Sequence, residues 1–288
     1  MIELKGVYRR YKKGSYFKKE YVEVLRDVSI EINDGIHTGI IGESGAGKST
    51  LCRIMSLLEL PDKGNVFVDG DKIDRKNIKR KRGVVGMVFQ DPITSLDPKM
   101  KIINTLKEAS SNENKIKDIC AEVNLDVSLL DKYPHQLSGG QQQRVAIARA
   151  LLSDAKYIVF DEFSSALDVS TQARIVNLLC ELNKDRKYSF VFVSHDVKLV
   201  GFLSDKIYVI YRGEVVEKVD DLSHVTHPYS EFLLNGRFTD DGIVKFDTCR
   251  NGCSFYHLCP YRRNKCCDQK PELLEIDKGH KVRCFLYD

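Results

Sequence analysis

A layered α/β core with a mostly parallel sheet is the fold class this sequence predicts, carrying an antiparallel β subdomain, an inserted helical subdomain and a Cys-rich C-terminal tail. Three observations lead there. Short apolar runs that read as buried strands (Gly39-Ile40-Ile41, Val84 to Phe89, Tyr157 to Phe160, Phe190 to Val193) alternate with stretches of helical periodicity. The segment GESGAGKST, residues 42–50, fits G-x-x-x-x-G-K-S/T directly after the first of those runs. Six of the nine cysteines fall at or beyond Cys249.

The chain has 288 residues, of which 42% are apolar. That is enough for one full core of roughly 200 residues plus additions. With 45 basic and 41 acidic residues the formal charge is +4, a balance too even to make nucleic acid the expected partner. No apolar run approaches the roughly 18 residues of a membrane helix, and the opening MIELKGVYRR lacks the apolar core of a signal peptide. The expectation is a cytosolic protein that meets a membrane only through a partner. In that compartment thiols stay reduced, so clustered cysteines suggest metal rather than disulfides.

In chain order, residues 1–8 and 21–32 alternate apolar and polar positions as an antiparallel pair does, with a basic loop between them that begins at Tyr11. An aromatic ring there suits base stacking or simple packing. Lys48 to Leu57 read as a helix that Pro61 ends, followed by a strand from Asn65 to Val68 and the turn Asp69-Gly70. The segment 72–82 carries seven basic residues and reads as a solvated face. The strand ending at Phe89 delivers Gln90 to its carboxyl end. Two prolines make 91–99 a loop, and 101–133 look helical up to Pro134, so residues 91–154 form the helical subdomain. LSGGQ at 137–141 opens a further helix with Val145, Ala148, Leu151 and Leu152 on one face, and Ile175, Leu178, Leu179 and Leu182 mark another. Ile207 to Tyr211 and Glu214 to Val219 resemble a hairpin turning near Arg212-Gly213. The alternating α/β part spans 1–225, and from 226 a separate tail follows.

The motif at 42–50 is a phosphate cradle. Glycine lets the backbone curl around an anion, so that amides of Gly42, Glu43, Ser44, Gly45, Ala46, Gly47, Lys48, Ser49 and Thr50 and the following helix N-terminus face the phosphates. Lys48 would reach the β- and γ-phosphates, and the Ser49 hydroxyl would ligate Mg²⁺. Phosphoryl transfer to water further requires a metal ligand, a base and a sensor. Asp161 and Glu162, after a strand buried on both sides, fit the first two roles, although such a pair can also cap a helix. Gln90 could contact Mg²⁺ and the attacking water, and His195, ending its own strand, the γ-phosphate. Ser138, Gly139, Gly140 and Gln141 place a hydroxyl and bare amides at a second helix start. Two anion sites for one nucleotide imply two chains.

In this order, GESGAGKST, Gln90, LSGGQQQR, YIVFDE, SALD (165–168) and His195 resemble the ATP-binding cassette (ABC) ATPases, over residues 1 to about 220. FQDPITSLDP, KYPHQLSGGQQQR, SSALDVSTQA and VTHPYSEFLL are more narrowly similar to the ATPase subunits of oligopeptide, dipeptide and nickel importers. The resemblance implies ATP and Mg²⁺ as ligands and a head-to-tail dimer in which Ser138 and Gly140 cap ATP on the other subunit, with Asp168 communicating across the interface. It also implies that Tyr11 stacks on adenine and that the insert near Gln90 to Met100 docks on a permease. The implied partners are a second ATPase, usually a paralogue, two transmembrane permease subunits and an extracytoplasmic solute-binding protein, with this chain peripheral on the cytoplasmic face of the membrane. Phe163 is one departure from the family, which usually has Pro after the acidic pair.

Cys253, Cys259, Cys266 and Cys284 are spaced C-x₅-C-x₆-C-x₁₇-C, four thiolates that suit an iron–sulfur cluster or Zn²⁺. Cys267 could replace Cys266, and Cys249 is spare. Similarity to the importer subunits implies a [4Fe-4S] cluster. Two other functions compete with the importer reading. A soluble ABC ATPase of DNA repair or translation would usually carry a long coiled coil or a second cassette, and a phosphate-loop kinase has no use for LSGGQ.

Overall fold

The computed structural model describes residues 1–13, 20–91, 95–153, 155–164, 167–182, 184, 188–235 and 252–288. Two sheets organise them. A four-stranded antiparallel sheet has the order β2-β1-β4-β5, from β1 (Ile2–Lys13), β2 (Glu20–Ile32), β4 (Lys63–Val68) and β5 (Asp71–Lys72). The second has eight strands. Its parallel part runs β9-β3-β8-β7-β6, from β3 (Thr38–Ile41), β6 (Val85–Val88), β7 (Tyr157–Asp161), β8 (Ser189–Ser194) and β9 (Lys206–Tyr211). Antiparallel β10 (Glu214–Val219), β12 (His280–Val282) and β11 (Leu274–Asp277) extend it beyond β9.

The helices are α1 (Lys48–Met55), α2 (Ile78–Lys81), α3 (Ile102–Lys107), α4 (Glu113–Glu122), α5 (Gly139–Leu152), α6 (Val169–Leu182), α7 (Val197–Leu203), α8 (Pro228–Asn235) and α9 (Asn264–Asp268).

The parallel strands read as unbroken apolar runs because both of their faces are covered. Side chains two apart share a face. Ile158 and Phe160 of β7, with Phe190 and Phe192 of β8, join one core, built with α5, α6 and α7. Their neighbours Tyr157, Val159, Val191 and Val193 join a second core, closed by α1 and the antiparallel sheet.

Three boundaries differ from expectation. Strand β1 runs past 8 as far as Lys13 and β2 begins one residue before 21, at Glu20; the opposite charges of the pair Arg10↔Glu23 favour the continued ladder. Tyr11 therefore lies inside β1 opposite Val22, rather than in a loop. The stretch 101–133 holds only two short helices, α3 and α4, joined and followed by turns. Leu137, Val145 and Ile147 share one cluster with Ile102, Leu106, Ile116 and Ile119, so the region packs as a unit around α5.

The C-terminal segment does not stand apart. Its hairpin β11–β12 adds to the edge of β10 through the pairs Glu217↔Val282 and Lys218↔Lys281. The buried Glu217 carboxylate accepts from the Thr226 amide at 2.7 Å and the His227 amide at 3.1 Å, and lies 2.9 Å from His280 Nε2. Arg283, also buried, donates to the carbonyls of Val215 at 3.0 Å and Pro271 at 3.3 Å. A polar tail with little core of its own is thus fastened by sheet pairing and buried charge. Among the described residues no helix is long and apolar enough to cross a membrane.

Candidate nucleotide site

The strand order β3-β8-β7-β6 decides the site. These four strands are parallel neighbours, so their carboxyl ends open on one edge of the sheet. Each end carries a candidate residue: the phosphate loop after β3, His195 after β8, Asp161 and Glu162 at β7, and Gln90 beyond β6.

Glycine is required in the loop. A Cβ at Gly42 would lie 2.3 Å from the Ile210 carbonyl oxygen of β9, and Gly47 holds φ 102° with the Val24 carbonyl 2.8 Å from a Cβ position. Ala46 and Gly47 are buried beneath the loop, while Glu43, Ser44 and Gly45 form its exposed rim. Thr50 is buried in α1.

Lys48 is only 4% exposed. Its ammonium donates to the carbonyls of Gly42 at 2.8 Å and Glu43 at 3.0 Å, and lies 3.6 Å from Glu162 Oε1. Buried charge of this kind needs such partners. The Ser49 hydroxyl donates to Asp161 Oδ1 at 3.4 Å. Burial raises the Asp161 carboxyl above its usual range, the Ser49 bond opposes that, and the neighbouring Glu162 charge adds to it. A buried carboxylate beside a hydroxyl, with its charge poorly compensated, fits a divalent cation.

Glu162 is the residue on which the set converges. Its Oε2 accepts from Gln90 Nε2 at 3.0 Å, and His195 Nδ1 lies 3.6 Å from Oε1. The Glu162 backbone adopts φ 45°, in the left-handed region, and its amide donates to the Val193 carbonyl of β8 at 2.8 Å. A non-glycine residue held there signals strain kept by its surroundings, as at reactive sites.

Ser138 caps α5, whose first turn holds Gly139, Gly140 and Gln141. The Gln141 side chain accepts from the Ser138 amide at 2.9 Å, and the Ser138 hydroxyl accepts from the Gln141 amide at 3.4 Å. Ser138 and Gly139 are exposed. Asp168, also exposed, accepts from the Ser170 hydroxyl at 2.7 Å and the Thr171 amide at 3.0 Å, which holds its carboxyl well below the usual range. Tyr11 donates to Glu59 Oε2 at 2.7 Å, and the Arg9 guanidinium covers one face of its ring at 4.8 Å.

A family model described as "ABC transporter" matches residues 25–165. The chain is 34% identical to the Haemophilus influenzae dipeptide transport ATP-binding protein DppF, over 98% of this chain and 94% of that protein. It is 34% identical to the Bacillus subtilis oligopeptide transport ATP-binding protein AppF, over 100% of this chain and 97% of that protein. The chain belongs to the ABC transporter family. Among solved structures, an ATP-binding cassette in a dimeric post-hydrolysis state with ADP and Pi is 31% identical, covers 76% of this chain and 98% of its own, and superposes with a TM-score of 0.67. The two sheets and the helical layer are therefore those of an ABC cassette, and this ABC protein is an ATPase that works with ATP and Mg²⁺.

Beyond the cassette, the tail cysteines converge in part. Cys253, Cys259, Cys266 and Cys284 line one cavity with Phe255 and His227. The Cys253 amide donates to the Cys266 carbonyl at 2.8 Å, which brings two of the segments together. Yet among the described residues no group of three or more His, Cys, Asp or Glu is arranged to hold a metal ion. Cys267 is disulfide-bonded, which corrects the expectation that it could replace Cys266, whereas Cys253, Cys259, Cys266 and Cys284 are free thiols. Cys249 lies outside the described residues.

One contact was missed from the sequence. The Tyr229 hydroxyl accepts the Glu43 amide of the phosphate loop at 3.0 Å. Its signal was a single aromatic residue after His227-Pro228, 186 positions away along the chain.

Proposed function

We propose that this chain is the ATP-hydrolysing subunit of an importer for dipeptides or oligopeptides. It sits on the cytoplasmic face of the cell membrane against two permease subunits, pairs with a second ATPase that is a paralogue, and serves cargo delivered by an extracytoplasmic solute-binding protein. The observation that carries the ATPase half is the convergence of four adjacent strand ends on Glu162; a second helix start, exposed at Ser138 and Gly139, is available to a partner's nucleotide. The names of relatives matched over nearly the whole chain support the cargo class.

In this reading Lys48 leaves its two carbonyls for the β- and γ-phosphates, and the loop amides cradle them. Ser49, Asp161 and Gln90 hold Mg²⁺, which neutralises charge on the phosphates. Glu162 takes the proton of the attacking water, and His195 hydrogen-bonds the γ-phosphate. The open face of Tyr11 stacks on adenine. Ser138, Gly139, Gly140 and Gln141 cap the nucleotide of the opposite ATPase, and Asp168 lies at that interface.

The proposal extends to the tail, where Cys253, Cys259, Cys266 and Cys284 hold a [4Fe-4S] cluster. Four thiols lining one cavity supply the four thiolates that such a cluster requires. Anaerobically purified chain is expected to carry about four irons and absorb near 400 nm; stoichiometric zinc without iron overturns this part.

The importer assignment is tested by tagging the chain at its native level and solubilising membranes in mild detergent. Co-purification with polytopic permease subunits, and ATP turnover raised by peptide-loaded binding protein in vesicles, are expected. A chain found free of membrane proteins, whose ATPase responds to nucleic acid, points instead to the soluble class.

A further inference from the structure

We propose that Tyr229 is a positioning residue for the phosphate loop and that it couples the loop to the thiol-lined cavity of the C-terminal segment. The proposal rests on the ATP site described above and goes beyond it.

The contacts form an unbroken path. Phe255 lines the cavity beside Cys253 and Cys259 and is itself buried. Its ring meets Tyr229 at 5.5 Å and Tyr211 at 5.3 Å, both edge-on, and Tyr211 meets Tyr229 at 4.4 Å. Tyr229 is fully buried, and its hydroxyl accepts the Glu43 amide at 3.0 Å. The carbonyl of that same residue accepts the Lys48 ammonium at 3.0 Å. One residue of the loop is thus held at its amide by the C-terminal segment and at its carbonyl by the lysine that must reach the phosphates.

The physical consequence lies in loop populations. Glu43 is on the exposed rim, and the loop around it includes Gly45 at φ 79°, with nothing within 4 Å of a Cβ position. Such a segment has other conformations to visit. The Tyr229 bond favours the one in which the loop backbone already has the curled shape of the cradle, and apparent affinity scales with the fraction of loops already in that state. Packed aromatic rings have discrete arrangements, so the filling of the thiol cavity shifts Phe255, Tyr229 and hence the loop. By reciprocity, nucleotide at the loop must alter the cavity to the same extent.

The test uses the full chain with whatever metal it carries, and two readouts. Tyr229→Phe keeps the ring and removes only the acceptor. ATP binding, followed with a fluorescent ATP analogue, is expected to weaken about three- to tenfold, the scale of one neutral hydrogen bond. KM should rise with kcat unchanged, a split that general destabilisation would not produce. In the native chain, ATP should slow backbone hydrogen–deuterium exchange across Cys253 to Cys259, read by mass spectrometry, and in Tyr229→Phe this protection should shrink. Phe255→Leu, which leaves the hydroxyl in place, should also shrink it and keeps the test usable if Tyr229→Phe fails to fold. Unchanged affinity in Tyr229→Phe, or exchange across Cys253 to Cys259 indifferent to ATP in the native chain, overturns the proposal alone. A native chain that binds no ATP overturns the ATPase reading and this proposal with it.

Discussion

Glu162→Gln is expected to slow ATP hydrolysis by about 10² to 10⁴, the usual worth of a positioned base, while ATP stays bound. The carboxylate sits among Gln90 Nε2 at 3.0 Å and the cations or cation-forming groups Lys48 Nζ and His195 Nδ1, each at 3.6 Å. Gln has the same shape and still accepts through one oxygen, so the contacts to the loop lysine weaken without collapse. The strained φ of 45° and the amide bond to Val193 are backbone features that the substitution does not touch. What is removed is the ability to take a proton. Single-turnover hydrolysis, measured beside nucleotide affinity, separates the two effects. Hydrolysis at the native rate in the assembled complex would remove Glu162 from the base role, and weakened binding with an intact chemical step would make it a binding group instead.

Much of this site was legible beforehand because local sequence creates it. A loop that must present bare amides leaves a Gly-rich signature, and a strand covered on both faces leaves a continuous apolar run, so Gly42 to Thr50 and the pair after Phe160 stand out without any tertiary information. Tyr11 was misplaced because ladder continuation depends on cross-strand charge pairs, and Arg10↔Glu23 is invisible until the register is known. The tail read as separate because β11 and β12 are short and polar. Their place on β10 is fixed by Glu217 and Arg283, buried charges whose partners lie far off in sequence. The Asp277 to His280 turn, with Gly279 at φ 83°, was the one local hint of that hairpin. Tyr229 was missed for the same reason, since an aromatic residue in an apolar helix announces packing rather than a hydrogen bond to a loop.

Phe163→Ala is expected to destabilise the chain by about 3 to 5 kcal/mol, the range for emptying a buried phenylalanine site. Phe163 stands where the resemblance to the cassette family leads one to expect Pro, and the structure supplies a role for it. Phe163 is 1% exposed, meets Phe160 edge-on at 5.4 Å and Phe192 at 5.9 Å, and so completes an aromatic cluster with Phe190 under the ends of β7 and β8. A proline would stiffen the turn through its own ring. Here a large side chain sunk into the core anchors the residue next to Glu162. Removing it leaves a cavity and loosens that anchor, whereas Phe163→Leu keeps most of the volume and should cost clearly less. Urea denaturation of the three proteins gives the stability order, and turnover per nucleotide-bound molecule reports the anchor. A drop in turnover for Phe163→Ala beyond what unfolding explains, with Phe163→Leu close to native, is the expected pair of results. Equal stability of Phe163→Ala and the native chain would mean that the cluster collapses around the gap, and that the turn after Glu162 is held by its backbone bond to Val193 alone.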